Sequence, residues 1–460
     1  MMIKEFSSFK DPAGYVYYKD GILYRNVSYN YKQNYDCLIN SGLYDKLQQK
    51  QYLIPTTEAS LDTQDVYKTL KPEMIEFISY PYEWSFSQYK DAALLTLKIQ
   101  KQALLHSMSL KDASAYNIQF KNGKPILIDT LSFEILNEKQ PWVAYKQFCQ
   151  HFLAPLALMS YKDVRLSQLM KNNIDGIPLD LASQLLPKII NPSLFVHIHM
   201  NSIFQNKYKK SQKNGINLQT MSKEKHLALI ENLLKIITTL KNPHKSTEWE
   251  NYYEFTNYDN TSFETKEKII NDLMENFSKV KMLWDIGANN GHFTRIAASG
   301  NNRKIFAVAF DIDSQAVEKN YNKQKKDQET NILPLILDLL NPSPGIGWHN
   351  KERTEIEKRG KPDVVLALAL IHHLCISQNI PFTYLASYLS SLSQNLIIEF
   401  VDKEDSQVQK LLSSRKDIYS WYNQEQFEAD FSKYFTIAKK VQIPSTLRTV
   451  YLMTHLSNND

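Results

Sequence analysis

From about Lys281 onward, short apolar runs alternate with helix-patterned segments, and this alternation narrows the possible folds more than any other feature. The runs are KMLWDIG (281–287), KIFAVAFDI (304–312), ILPLILDL (332–339), PDVVLALAL (362–370), NLIIEF (395–400), FTIAKKVQI (435–443) and TVYLMTH (449–455). Uninterrupted apolar runs suit strands of a parallel sheet covered on both faces. The first of them recur at steps of about 25 residues, the size of one βα unit. Only PSTLR separates the last two; that is too short for a parallel crossover, so they should pair antiparallel. With 460 residues the chain exceeds one ordinary core, and its first half must fold separately.

That first half reads as α+β. GYVYYKDGILYRNV (14–27) has the pattern of a hairpin turning at Asp20-Gly21. Helical patterns cover 31–50, 87–108 and most of 141–205, and a second strand pair surrounds NIQFKNGKPILID (117–129). The polar stretch 206–222 reads as a linker and 222–241 as a helix leading into the second domain. The expected division is therefore 1–215 and 216–460.

A net charge of +5 and scattered lysines, with local runs at 207–213 and 323–326, read as solvated faces and point away from nucleic acid. Cys37, Cys149 and Cys375 match neither disulfide nor zinc spacing. His197 and His199 alternate as in a strand but have no third ligand partner. The N-terminus has no apolar signal segment, and the longest apolar runs, eight residues, fall short of a membrane span. The expectation is a soluble, cytoplasmic chain.

Glycine is scarce, 12 in all, yet Gly287 and Gly291 both lie in LWDIGANNGHFT (283–294), between a strand and a helix. Glycine there permits a tight turn and close approach of a ligand to the backbone. The carboxyl edge of such a strand is the usual crevice of a doubly wound sheet. The G-x-G-x-x-G spacing of a dinucleotide site is absent. Asp285 suits an ammonium group instead, Asp311 the two hydroxyls of a ribose, and Asp338 an adenine amino group. Together these acceptors describe S-adenosylmethionine (SAM).

Residues 245–455 resemble a class I SAM-dependent methyltransferase in DIGANNG, AFDIDSQAV, LDL and the terminal antiparallel pair. NPSPGIGW, LALALIHHL and IIEFVDKEDSQV further resemble a bacterial, nodulation-protein-like subgroup. The resemblance implies an α/β fold with a Rossmann-like seven-stranded sheet and an enzyme of that activity. It also implies SAM contacts at Asp285, Gly287, Ala288, Asn289, Gly291, Asp311, Ile312, Asp338, Leu339 and Leu368. The loop after the fourth run presents acceptors in this fold. Here it carries His372 and His373 and lacks the D/N-P-P-Y motif of many amino-group methyltransferases. Histidine titrates near neutrality, so the pair suits proton removal from an oxygen acceptor. Glu399 is expected to face the same crevice. The expected reaction is O-methylation of a small-molecule or glycan hydroxyl, a protein being a further possible acceptor. TEWENYYEFTNY (247–258) is expected to lie over the cofactor through Trp249, Tyr253 and Tyr258, or to pack between domains.

LKDASAYNIQFKNGKPILID (110–129) resembles the catalytic loop of protein-kinase-like and aminoglycoside-phosphotransferase-like folds. The resemblance places Asp112 near an acceptor hydroxyl, and Asn117 and Asp129 on a magnesium ion serving ATP. EFISYPYEW (76–84) then corresponds to a strand and hinge. The departures are plain. Leu110-Lys111 replace His and Arg or Gly, no glycine-rich loop is evident beyond Gly14, Arg25 or nothing replaces the usual strand lysine, and Thr130-Leu131 rather than Phe-Gly follow Asp129. The expectation is a degenerate kinase-like domain ahead of a methyltransferase. A nucleotide-binding pseudokinase scaffold with a SAM-sensing domain and an active bifunctional kinase/methyltransferase are the alternatives.

Overall fold

The computed structural model describes residues 2–61, 65–200, 221–243, 247, 260–413 and 416–456. The chain forms two compact units, Met1–His244 with Ser343–Glu355, and Lys245–Pro342 with Ile356–Asp460.

In the first unit β1 (Met2–Lys4), β2 (Val16–Lys19), β3 (Ile22–Ser28), β4 (Thr56–Ala59) and β5 (Val66–Pro72) make an antiparallel sheet of order β1-β2-β3-β5-β4. The β2–β3 hairpin closes at Asp20 (φ 53°) and Gly21 (φ 78°), the pair of left-handed residues that a two-residue hairpin loop needs. Two small pairs follow, β6 (Met108–Leu110) with β9 (Phe133–Ile135) and β7 (Ile118–Lys121) with β8 (Lys124–Leu127). Helix α1 (Phe86–Leu105) starts at a capping box of Ser85 and Gln88. The strand expected within 76–84 does not form. Instead the Gln119 side chain pairs with the backbone of Ser79, accepting its N–H at 2.8 Å and donating to its C=O at 2.9 Å. His197 and His199 lie on a helical turn rather than a strand, and His197 binds Tyr145 and Asn232.

Helix α2 (Lys223–Thr239), expected to lead into the second domain, belongs to the first. Its apolar stripe of Ile230, Leu233, Ile236 and Ile237 is buried, and Lys90 of α1 donates to the carbonyls of Thr238 and Leu240 at its end. The break thus falls well beyond 215. Ser343–Glu355, which includes most of NPSPGIGW, also belongs to this unit: Ser343 Oγ donates to Glu83, and the Thr354 N–H donates to Tyr80 at 2.7 Å.

The second unit holds β10 (Met282–Ile286), β11 (Phe306–Asp311), β12 (Ile332–Ile336), β13 (Val364–Ala367), β14 (Asn395–Val401), β15 (Phe435–Gln442) and β16 (Arg448–His455). They form one sheet of order β12-β11-β10-β13-β14-β16-β15. The first five are parallel; β16 runs antiparallel to both β14 and β15. The central strands are buried along nearly their whole length, as their unbroken apolar runs require. Helices α3 (Asn260–Met274) and α4 (His292–Ser299) cover one face, packing Ile270, Leu273, Phe293 and Ala297 on Leu283, Leu366 and Ile397. Edge strand β15 exposes Lys439 and Lys440, which discourages edge-to-edge pairing. Among the described residues, no helix is long and apolar enough to cross a membrane.

Candidate functional site

The turn after β10 is built by its glycines. Gly287 (φ 78°) lets two successive amides, its own and that of Ala288, donate to the Phe310 carbonyl of β11, each at 2.9 Å. Asn289 (φ 50°) and Gly291 (φ 76°) complete the reversal into α4. Gly291 does not line the cavity described below. A Cβ there would lie 2.5 Å from Asn320 Nδ2 and 2.6 Å from an Arg295 nitrogen, and Arg295 itself ties down the Asn290 and Gly291 carbonyls at 2.9 Å. Its glycine therefore serves the loop's packing, not ligand approach. Gly291→Ala should cost ~1–2 kcal/mol from the left-handed backbone alone, with the close contacts adding to it. Thermal unfolding checks this; an unchanged midpoint would refute the packing role.

A cavity of about 420 Å³ opens at the carboxyl ends of β10, β11, β12 and β13. Its walls include Asp285, Gly287, Ala288, Asn289, Asp311, Ile312, Asp338, Leu339 and Leu368, so every expected contact except Gly291 converges here. Asp285 accepts from Thr294 Oγ1, and burial pushes its carboxyl up to about 7. Asp311 accepts the Asn289 N–H at 2.7 Å and the Asp313 N–H at 2.8 Å. Burial nevertheless raises its carboxyl to about 6. Asp338 accepts the Leu340 N–H at 2.9 Å, leaving its head at the cavity wall.

The loop after β13, expected to present the acceptor, differs from expectation in two respects. His373 lines the cavity, but His372 is buried behind it, with neither ring nitrogen hydrogen-bonded. Neither ring titrates near neutrality. Burial first, then the Arg448 charge, takes His373 down to about 4, and burial holds His372 far below its usual range. Glu399 does not reach the cavity. It is wholly buried and pairs with Lys266 Nζ at 2.6 Å. Lys266, from α3, does line the cavity, as does Phe293, whose ring centroid its ammonium approaches to 4.6 Å. Both escaped notice in the sequence, where Lys266 is one lysine among several on an amphipathic helix. Of the aromatic lid only Thr247 is described; Trp249, Tyr253 and Tyr258 lie outside the described residues.

In the first unit Asp112, Asn117 and Asp129 do come together. Asn117 bonds to Asp112 and, at 3.4 Å, to Ser132 Oγ, which donates to Asp129 Oδ2 at 2.6 Å. Burial, then the charge of Asp129, raises the Asp112 carboxyl. The residues do not fit a divalent cation, because the Arg25 guanidinium sits 2.8 Å from Asp129 Oδ1 and 2.5 Å from Asp11. Among the described residues no group of three or more His, Cys, Asp or Glu could hold a metal ion.

Five parallel strands followed by an antiparallel hairpin, with carboxylates at three adjacent strand ends, define the class of SAM-dependent methyltransferase folds. The chain belongs to the family of the nodulation protein NoeA of Rhizobium meliloti (strain 1021), to which it is 33% identical over 392 residues, 84% of this chain and 82% of the relative. No family model matches. Among solved structures, the N-methyltransferase NodS from Bradyrhizobium japonicum WM9 in complex with S-adenosylhomocysteine (SAH) aligns over 45% of this chain and 95% of its own, at 13% identity and a TM-score of 0.34. The 16S rRNA methylase ArmA aligns over 45% and 91%, at 21% identity and a TM-score of 0.31.

Proposed function

We propose that the chain transfers the methyl group of SAM to a hydroxyl of a small molecule or glycan. The observation that carries this reading is the single cavity that joins Asp285, Asp311 and Asp338 with His373. The donor supplies a methyl group already activated on a sulfonium. The chain's part is to position and to move a proton. Asp285 suits the donor's ammonium, Asp311 its ribose hydroxyls and Asp338 its adenine amino group. Gly287 and Ala288 leave the turn without bulk beside it, and Leu339, Leu340, Leu368 and Leu370 exclude water. His373, neutral at pH 7, accepts the acceptor's hydroxyl proton at a ring nitrogen. Resemblance to nodulation-protein-like methyltransferases supports a small-molecule or glycan acceptor over a protein. Incubating the chain with methyl-labelled SAM and cell extract tests the reading. Labelled product together with SAH supports it; binding without turnover favours a SAM-sensing scaffold instead.

The first unit we read as a kinase-like fold that has lost phosphoryl transfer and that recognises or presents the acceptor. The convergence of Asp112, Asn117 and Asp129 supports the likeness, and Arg25 on Asp129 supports the loss. A radiolabelled transfer assay with ATP and magnesium should show no activity dependent on Asp112. Activity abolished by Asp112→Ala would establish the bifunctional alternative.

A further inference from the structure

Oε2 of Glu399 receives two hydrogen bonds, from Lys266 Nζ at 2.6 Å and from the Ala369 N–H at 2.8 Å. Ala369 follows β13 and has a φ of 49°, a left-handed conformation that residues with a side chain seldom adopt. The other oxygen of Glu399 lies 3.7 Å from Arg448, which Asp405 grips at 2.9 and 3.3 Å. Four charges of alternating sign thus lie buried between α3, β14, β16 and the segment after β14. Burying charges costs free energy, and well-packed apolar side chains are often more stabilising. The arrangement therefore calls for a role other than stability. What it holds in place is the loop: Ala369, Leu370 and His373 all line the cavity, as does Lys266 itself.

We propose that Lys266 and Glu399 are positioning residues for the transfer site. Their ion pair fixes Ala369 in its left-handed turn and so keeps the His373 ring at the cavity wall. This rests on the methyl-transfer reading of the cavity. Oε2 takes the Lys266 ammonium and the Ala369 N–H together, so the pair holds this oxygen against the Ala369 N–H, and hydrogen bonds that involve a charged group are the stronger ones. Released from that hydrogen bond, Ala369 would relax toward ordinary backbone and the loop would open to water.

The test is an NMR titration of the His373 ring in the full chain, its signal assigned by its loss in His373→Gln. Wild type is compared with Glu399→Gln, Lys266→Met and Lys266→Arg, and SAH affinity is measured by calorimetry on each. Two effects oppose each other in Glu399→Gln. Loss of the negative charge leaves Arg448 less neutralised and moves the His373 midpoint down, whereas an opened loop hydrates the ring and moves it up. Positioning predicts that the midpoint rises from about 4 toward that of an exposed imidazole, about 6.5, in both Glu399→Gln and Lys266→Met. Lys266→Arg should restore the wild-type value. SAH affinity should fall about tenfold in the same two variants, as for a lost charged hydrogen bond. An unchanged or lowered midpoint in Glu399→Gln overturns the proposal. Should a single variant not fold, the uncharged double variant Lys266→Met/Glu399→Gln must show the same rise. If wild type binds no SAH, the methyl-transfer reading fails, and the His373 midpoint still decides whether the pair holds the loop.

Discussion

His373→Ala is expected to reduce methyl transfer by about 10²–10⁴-fold, the range for loss of a general base, while donor affinity stays nearly unchanged. The ring lines the cavity but is not among the carboxylates assigned to the donor. Its depressed midpoint, about 4, changes the pH profile that a histidine base would ordinarily give. The neutral, accepting form persists to well below pH 6, so turnover at saturating substrates should not bend near the usual imidazole value. His372→Ala should have little direct effect on the proton transfer, because that ring does not line the cavity. Steady-state rates of both variants across pH decide the matter. If His373→Ala retains full turnover, the ring is structural and the oxygen acceptor loses its main support.

Asp311→Ala is expected to weaken SAM binding about tenfold to a hundredfold or more, the loss of a charged hydrogen bond to the ribose. Part of that loss comes from within the protein, since the Asn289 and Asp313 amides lose their acceptor and the turn after β10 loosens. The two amides bond to different carboxylate oxygens, so Asp311→Asn, with a single acceptor oxygen, keeps one of these contacts and loses the other. The pH dependence follows from the raised carboxyls, about 7 for Asp285 and about 6 for Asp311. In the unfolded chain both ionise near about 4, so between about 4 and 7 the folded state holds more protons and stability falls as pH rises. A ligand bearing an ammonium and hydroxyl donors favours the ionised carboxyls. Donor affinity should therefore rise with pH through the same window, and binding below about pH 7 should release protons. Unfolding curves and affinities across pH check the two opposite trends.

Much of the second unit was legible because its strands are covered on both faces and so read as unbroken apolar runs. The hairpin at Asp20-Gly21 was equally legible, since few residues accept left-handed backbone. The parts that escaped depend on distant partners. The stretch 76–84 has an extended, apolar character, but the Gln119 side chain takes the Ser79 backbone that a neighbouring strand would have paired. Helix α2 looked like a lead-in because sequence order does not reveal that its stripe packs back on the first unit. At the site, carboxylates ending β10 and β11 could be placed by spacing alone. Lys266 could not, because its partner Glu399 lies 133 residues away. Glu399 ends an apolar run in the manner of Asp285 and Asp311, yet its side chain serves the loop beneath the cavity. His372 and His373 do lie in the segment after β13, but their protonation depends on burial and on Arg448, neither of which a motif encodes.

The most direct test of SAM recognition is calorimetric titration of the full chain with SAH at pH 6.5, repeated in buffers of different ionisation enthalpy. One site per chain is predicted, with net proton release that fades as the pH is raised beyond the range in which Asp285 and Asp311 titrate, and with binding sharply weakened in Asp311→Ala. Absence of binding heat, confirmed by an unshifted thermal midpoint at saturating SAH, would contradict the assignment of the cavity to the methyl donor.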